Sequence, residues 1–184
     1  ARQLRLFNDP ALNQAIADTW GVVRETAADT AQEITKWKAF LTPQRLAGAN
    51  ASRGRAVFAK ACANCHVIFD EGAKIGPELT GSNRGELDYI LNNVVDPNAI
   101  IGKDYQLTTI ETNDGRTAAG IVQRETPAAV TIVNMAETVT LARENIKKLD
   151  RLEMSLMPPG LFQALKEDEV ADLVKYLQSD RQVP

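Results

Sequence analysis

Apolar residues recur through the first forty positions in steps of three and four: Leu12, Ile16, Trp20, Val23, Ala27, Ala31, Ile34, Trp37 and Leu41. That spacing predicts one helical face. Asn8-Asp9 before Pro10 supplies a cap and a first helical position. Gly21 is where the run is expected to break or bend, and Trp20 and Trp37 are expected to be packing anchors. Thr42-Pro43 stops the pattern and starts a short turn through Gly48. The next helix is predicted from Asn50 or Ser52 to Ala61, with Gly54 permitting close approach of another helix. A further helix is expected over Glu86–Asn93, with Tyr89, Ile90 and Val94 inward, ended by Asp96-Pro97. From Tyr105 the period changes. Tyr105–Thr112, Arg116–Arg124, Ala129–Asn134 and Thr138–Leu141 read as four short strands, with a hairpin turn at Asn113-Asp114-Gly115. Glu144–Leu152 is expected to return to helix. A final helix is predicted near Glu167–Gln178, with Val170, Leu173, Val174 and Leu177 on one stripe and Asp168 and Glu169 in its first turn. These elements imply a mainly α fold with a small antiparallel β insert at about 105–141. They divide the chain into an N-terminal helical extension, 1–42, and a domain over 43–184.

Composition excludes more than it identifies. At 184 residues, 44% hydrophobic and 24% charged, the chain has the make-up of an ordinary globule. A net charge of −3 gives no electrostatic case for nucleic acid. No apolar run is long enough for a membrane span, and the opening Ala1-Arg2-Gln3 is not a basic-then-apolar leader.

The chemistry is concentrated in Cys62-Ala63-Asn64-Cys65-His66. This C-x-x-C-H run is the attachment signature of a c-type haem. Two thiols on one turn each add to a vinyl group of the same porphyrin, and the next residue offers an imidazole to the iron. Cys62 and Cys65 are the only cysteines and His66 the only histidine. One covalent haem is therefore the cofactor expected, with no disulfide. A closed zinc site needs four ligands, and this motif offers three. A dithiol redox pair is the other rival, but it usually stands at a strand-to-helix junction, whereas this motif follows a predicted helix. With one histidine, the sixth iron ligand is left to Met, Lys, Tyr, the amino terminus, water or nothing. Covalent haem c is attached outside the bacterial cytoplasm, so a periplasmic or otherwise exported location is expected, with a leader missing from this sequence.

The order of helix, C-x-x-C-H, Gly76-Pro77-x-Leu79, helix, Met157-Pro158 and terminal helix resembles a class I cytochrome c. More narrowly, residues 49–180 resemble the haem-binding domain common in exported proteins of Planctomycetes and Verrucomicrobia. The matching stretches are Gly54-Arg55-Ala56-Val57-Phe58, Ile75-Gly76-Pro77-Glu78-Leu79-Thr80-Gly81, Asp104-Tyr105, Asp114-Gly115 with Gly120, Ser155-Leu156-Met157-Pro158-Pro159-Gly160-Leu161 and Asp172-Leu173-Val174-Lys175-Tyr176-Leu177. Residues 1–42 resemble the end of an upstream helical-repeat region.

The resemblance implies His66 as proximal ligand and Pro77 as the carbonyl that accepts a hydrogen bond from its other ring nitrogen. It implies Met157 as the distal ligand. Met154, three residues earlier, is the alternative, and Met135 is expected to be packing. Arg84 and Tyr105 are candidates for the haem propionates, since buried carboxylates need a cation or donors. Phe58, Leu79 and Ile90 are candidates for packing against the ring. The expected function is one-electron transfer, with a redox partner or an upstream dehydrogenase domain. A sensor or gas-binding domain with a displaceable distal ligand is the alternative. A peroxidase ranks below both, because the only histidine is proximal. Association through the N-terminal helix would give a homodimer.

Overall fold

The computed structural model describes residues 9–184. Asn8 and the opening residues on which the missing leader was read lie outside the described residues. The chain forms two compact units: one takes the residues up to Glu25 together with Asn98–Met157, the other Thr26–Pro97 with Pro158–Pro184.

In the first unit, α1 (Pro10–Trp20) starts where Asp9 accepts hydrogen bonds from the amides of Ala11 (2.8 Å) and Leu12 (3.1 Å). The predicted helical face then breaks at Gly21, which has φ +97°. A Cβ there would stand 2.4 Å from the carbonyl oxygen of Ile101. That close approach lets β1 (Val22–Val23) pair antiparallel with β2 (Ile100–Ile101). Trp20, expected as a packing anchor, is 46% exposed.

A five-stranded antiparallel sheet follows: β3 (Gln106–Thr112), β4 (Thr117–Glu125), β5 (Ala129–Val133), β6 (Thr138–Ala142) and β7 (Ile146–Ser155), in spatial order β6-β5-β4-β3-β7. The predicted hairpin turn forms with Gly115 at φ +84°. Ile110, Val130 and Ile132 are fully buried, with Val139, Leu141, Ile146 and Leu149 around them. β7 replaces the helix expected over 144–152. Its pairing with β3 slips twice: Thr112 faces Ile146 but Glu111 faces Lys148, and Thr108 faces Arg151 but Gln106 faces Ser155. Bulges of this kind break the two-residue alternation. They leave Ile146, Leu149 and Leu152 three apart among helix-forming charged residues, which reads as helix until the sheet edge overrides it. Met135, expected to pack, sits at the β5–β6 turn and is 72% exposed.

The second unit holds α2 (Ala28–Phe40), α3 (Pro43–Gly48), α4 (Ala51–Ala61), α5 (Leu87–Val95) and α6 (Glu167–Leu177). The expected turn at 43–48 is instead a short helix, because Thr42 Oγ1 caps the Arg45 amide (3.2 Å) and Pro43 opens the first turn. In α5 the buried positions are Ile90, Leu91 and Val95. Tyr89, expected inward, is exposed. With six helices and a five-stranded sheet among the described residues, the chain is mixed α and β rather than mainly α.

The core of this unit lies where α4 meets α6. A Cβ at Gly54 would stand 1.9 Å from the Asp172 carbonyl oxygen and 2.8 Å from Tyr176 Cβ. The crossing thus needs a residue with no side chain. Phe58 packs edge-on to Tyr176 with centroids 5.5 Å apart. Trp37, fully inside, packs edge-on to Phe162 at 5.3 Å.

One buried charge fastens the same crossing. The Asp172 carboxylate accepts from the Asn50 amide (2.6 Å), Arg53 Nε (2.6 Å) and Arg53 Nη2 (3.2 Å). Burial works to raise its pKa, but Arg53 and the Asn50 amide outweigh burial and hold it below the ordinary 3.8. A depressed carboxylate adds stability above its unfolded pKa and loses it as pH falls through the folded one. Asp172→Asn is therefore expected to cost about 2 kcal/mol at neutral pH. The gap from the parent protein should close below about pH 4. Urea unfolding of both proteins across that range measures it.

Candidate functional site

The C-x-x-C-H run caps α4. The Cys62 and Ala63 amides both donate to the Phe58 carbonyl (2.8 and 2.9 Å), and the Cys65 and His66 amides both donate to the Cys62 carbonyl (3.0 and 2.9 Å). The chain is thereby wound into a tight turn that brings the two thiols and the imidazole out in succession. Both cysteines are free thiols and half-buried. Burial, then the neighbouring Cys65, pushes the Cys62 thiol up to about 12, and burial raises Cys65 as well. Both therefore stay protonated at neutral pH.

The loop after the motif folds back onto it. The Ala73 amide donates to Ala63 (2.8 Å), the Ile75 and Gly76 amides to Cys65 (3.1 and 2.7 Å), and the Leu79 amide to Val67 (2.8 Å). These bonds put Pro77 beside the imidazole. His66 Nδ1 lies 2.8 Å from the Pro77 carbonyl oxygen. A carbonyl only accepts, so Nδ1 carries the proton and Nε2 keeps its lone pair. Burial lowers the His66 pKa against the opposing pull of the Pro77 carbonyl, so the ring is neutral at pH 7.

Two glycines make this seat. A Cβ at Gly76 would stand 2.7 Å from His66 Cε1 and 3.0 Å from Nδ1, and one at Gly72, with φ +118°, would stand 2.1 Å from the His66 carbonyl oxygen. The ring rests on backbone. Glycines in the loop after His66 suit a chain wrapped tightly around a flat ligand, and the Gly directly before Pro77 is the signal for the steric role.

Next to the seat, Ile68 and Glu71 exchange backbone hydrogen bonds of 3.0 Å around Phe69 (φ +50°) and Asp70 (φ +64°). Two non-glycine residues in the left-handed region store strain. Phe69 is held there by Tyr176 (6.2 Å, edge-on) and by the Arg84 guanidinium over its ring (4.7 Å). Asp70→Gly should release part of the strain and stabilise the protein by about 0.5–1 kcal/mol. A lower unfolding midpoint in that variant would contradict this.

The sequence-derived candidates fall into two sets. Cys62, Cys65, His66, Pro77, Leu79, Phe58, Ile90 and Arg84 all belong to the helical unit. Phe58 and Ile90 are buried in its core, with Leu79 packed against them. Arg84 is committed to main chain: it donates to the carbonyls of Leu79 (3.1 Å), Thr80 (3.2 Å), Leu177 (2.6 Å) and Ser179. Its observed work is to tie the loop to the end of α6. Tyr105 and Met157 belong to the sheet unit. Tyr105 closes a 3₁₀ turn, Lys103–Tyr105, and is half-buried. Met157 follows β7, half-buried, and its amide donates to Ser155 Oγ (3.1 Å). Met154, the alternative thioether, is exposed.

The donor set fits a covalently held haem. Two protonated thiols stand three positions apart, and a neutral imidazole with a free Nε2 follows directly, its ring fixed by the Pro77 carbonyl. No group of three or more His, Cys, Asp or Glu that could hold a metal ion occurs among the described residues. No described helix is long and apolar enough to cross a membrane. No curated protein matches the chain. Residues 51–125, which carry the thiols, His66 and its Pro77 seat, match the family model of cytochrome c.

Proposed function

We propose that this chain is a monohaem c-type cytochrome domain that passes single electrons between other proteins. The observation that carries the reading is the 2.8 Å contact of His66 Nδ1 with the Pro77 carbonyl, immediately after the thiol pair. When bound, haem supplies an iron that gains and loses one electron. The residues do the rest. Cys62 and Cys65 would hold the ring by thioether bonds. The Pro77 carbonyl fixes the His66 tautomer and aims Nε2, and Gly76 keeps the imidazole plane in place. Because the motif is clamped by backbone bonds on both sides, little of it needs to move when the charge changes.

Met157 is our candidate for the distal ligand. A thioether stabilises the reduced iron and raises the potential. Its place in Ser155-Leu156-Met157-Pro158-Pro159-Gly160-Leu161 supports it over exposed Met154. Phe58, Leu79 and Ile90 would pack on the ring, and Tyr105 would serve a propionate. The reading includes an exported location, a redox partner or upstream dehydrogenase region as electron donor, and the narrower kinship with the Planctomycetes and Verrucomicrobia haem-binding domain.

Voltammetry of the haem-loaded protein tests the reading: a reversible one-electron couple is expected, and its absence would sink the carrier function. Met157→Ala should lower the potential and let carbon monoxide bind the reduced protein, while Met154→Ala should change neither. Equal effects of the two variants would remove Met157 from the site.

A further inference from the structure

The two edges of the five-stranded sheet are unlike. β7 is a protected edge: it carries Lys147, Lys148, Asp150, Arg151 and Glu153, its ladder slips twice, and Arg24 donates to the Glu153 main-chain carbonyl. Charges and bulges of this kind keep strands from adding to an edge. β6 at the other side has none of these devices. Its sequence Thr-Val-Thr-Leu-Ala holds no charge and no proline, and it pairs with β5 in unbroken register from Val133↔Thr138 to Ala129↔Ala142.

Which backbone groups β6 leaves open follows from the ladder. The Asn134 amide donates to the Glu137 carbonyl (3.0 Å) at one end, and the Arg143 amide to the Ala128 carbonyl (2.8 Å) at the other. Antiparallel pairs alternate between bonded and non-bonded. Residues 137, 139, 141 and 143 therefore bond toward β5, and Thr138, Thr140 and Ala142 turn their N–H and C=O groups outward. Among the described residues, nothing is hydrogen-bonded to that outer edge.

We propose that this edge is an interface with a second copy of the chain, β6 pairing antiparallel with β6 about a two-fold axis at Thr140. In that register Thr140 faces its own copy and Thr138 faces Ala142 of the copy, so all three outward residues form bonded pairs. Val139 faces Leu141 of the copy, and both side chains lie against the buried apolar cluster of their own sheet. The apolar face thus continues across the axis. Glu137 comes opposite Arg143 of the copy at both ends, so a second carboxylate would join the Arg143 guanidinium, which already pairs with Glu125 of its own sheet. A shift of one residue turns the bonding groups away, and a shift of two loses the charge match. A two-fold contact requires a self-complementary surface, and this strand is one.

The test is the association of the full haem-loaded chain, followed by sedimentation over a concentration series. The parent protein should dimerise. Thr140→Pro removes the outward donor at the axis and leaves the backbone bonds to β5 in place, since proline is tolerated on a strand edge. It also gives up the 2.8 Å hydroxyl contact of Thr140 with Thr131 of β5, so Thr140→Val, which loses that contact but keeps the outward N–H, is the control. The proline variant should weaken the dimer about tenfold or more, with the haem spectrum unchanged, whereas Thr140→Val should dimerise like the parent. Thr140→Lys, which sets two cations across the axis from an exposed position, should weaken the dimer as proline does and serves if the proline variant does not fold. A parent protein that stays monomeric overturns the proposal. So does a dimer that survives both the proline and the lysine substitution, which would point to another surface such as α1.

Discussion

In the proposed haem-loaded form, Gly76→Val is expected to unseat the His66 imidazole while leaving the thioethers to Cys62 and Cys65 intact. Even the first carbon of a side chain would lie 2.7 Å from His66 Cε1 and 3.1 Å from Nε2. The ring cannot keep its place without giving up the 2.8 Å bond to Pro77. Loss of such a supporting bond typically weakens a metal–ligand interaction about 10- to 100-fold. On that reading one proton would compete with the iron for Nε2, so acid displacement of His66 should begin about one to two pH units higher. An acid titration of the haem-loaded variant, followed by its absorption spectrum, reads this directly. An unchanged acid midpoint would mean the Gly76 contact does not hold the ring.

Gly54→Val should have the largest effect on stability. The Cβ alone would stand 1.9 Å from the Asp172 carbonyl oxygen, 2.5 Å from its carbon and 2.8 Å from Tyr176 Cβ. None of these is the end of a flexible side chain. α4 and α6 must separate, loosening Phe58 against Tyr176 and the Asp172 clamp at the same crossing. The expected cost is about 3 kcal/mol or more, seen as a lower urea midpoint. Gly54→Ala should show the same effect at smaller size. A variant as stable as the parent would show that the two helices can slide past this contact.

The parts of the fold legible in the sequence were those with a local cause. Pro10 after Asp9, the Asn113-Asp114-Gly115 turn between two strand-forming runs, and the Val170, Leu173, Val174, Leu177 stripe each specify their own element. Gly54 was legible for the same reason: a glycine in an apolar helical stripe means another backbone comes close. The elements that were not legible depend on partners far along the chain. β7 looks helical because its bulges against β3 space Ile146, Leu149 and Leu152 by three. The break at Gly21 was expected, but the strand after it was not, because β1 exists only by pairing with Ile100–Ile101. The Thr42 cap makes a helix of what Pro43 and Gly48 mark as a turn.

The candidate site divides in the same way. The thiol pair, His66 and the Pro77 carbonyl lie within sixteen residues and are visible as spacing. The steric duty of Gly76, the strained turn at Phe69-Asp70 and the carbonyls that hold Arg84 depend on how that loop folds back, which spacing does not report. Asp172 entered the sequence reading only as part of the Asp172–Leu177 stretch; its carboxylate is buried under Arg53 because Gly54 draws α4 so near.

The most direct test of the carrier reading is an absorption spectrum of the haem-loaded protein, oxidised and then reduced, with carbon monoxide added to the reduced sample. A far-red sulfur-to-iron band in the oxidised form and no response to carbon monoxide are expected of a closed His66/Met157 site. A missing band with rapid carbon monoxide binding would contradict it and would make a gas-binding or sensing role the better reading of the same haem.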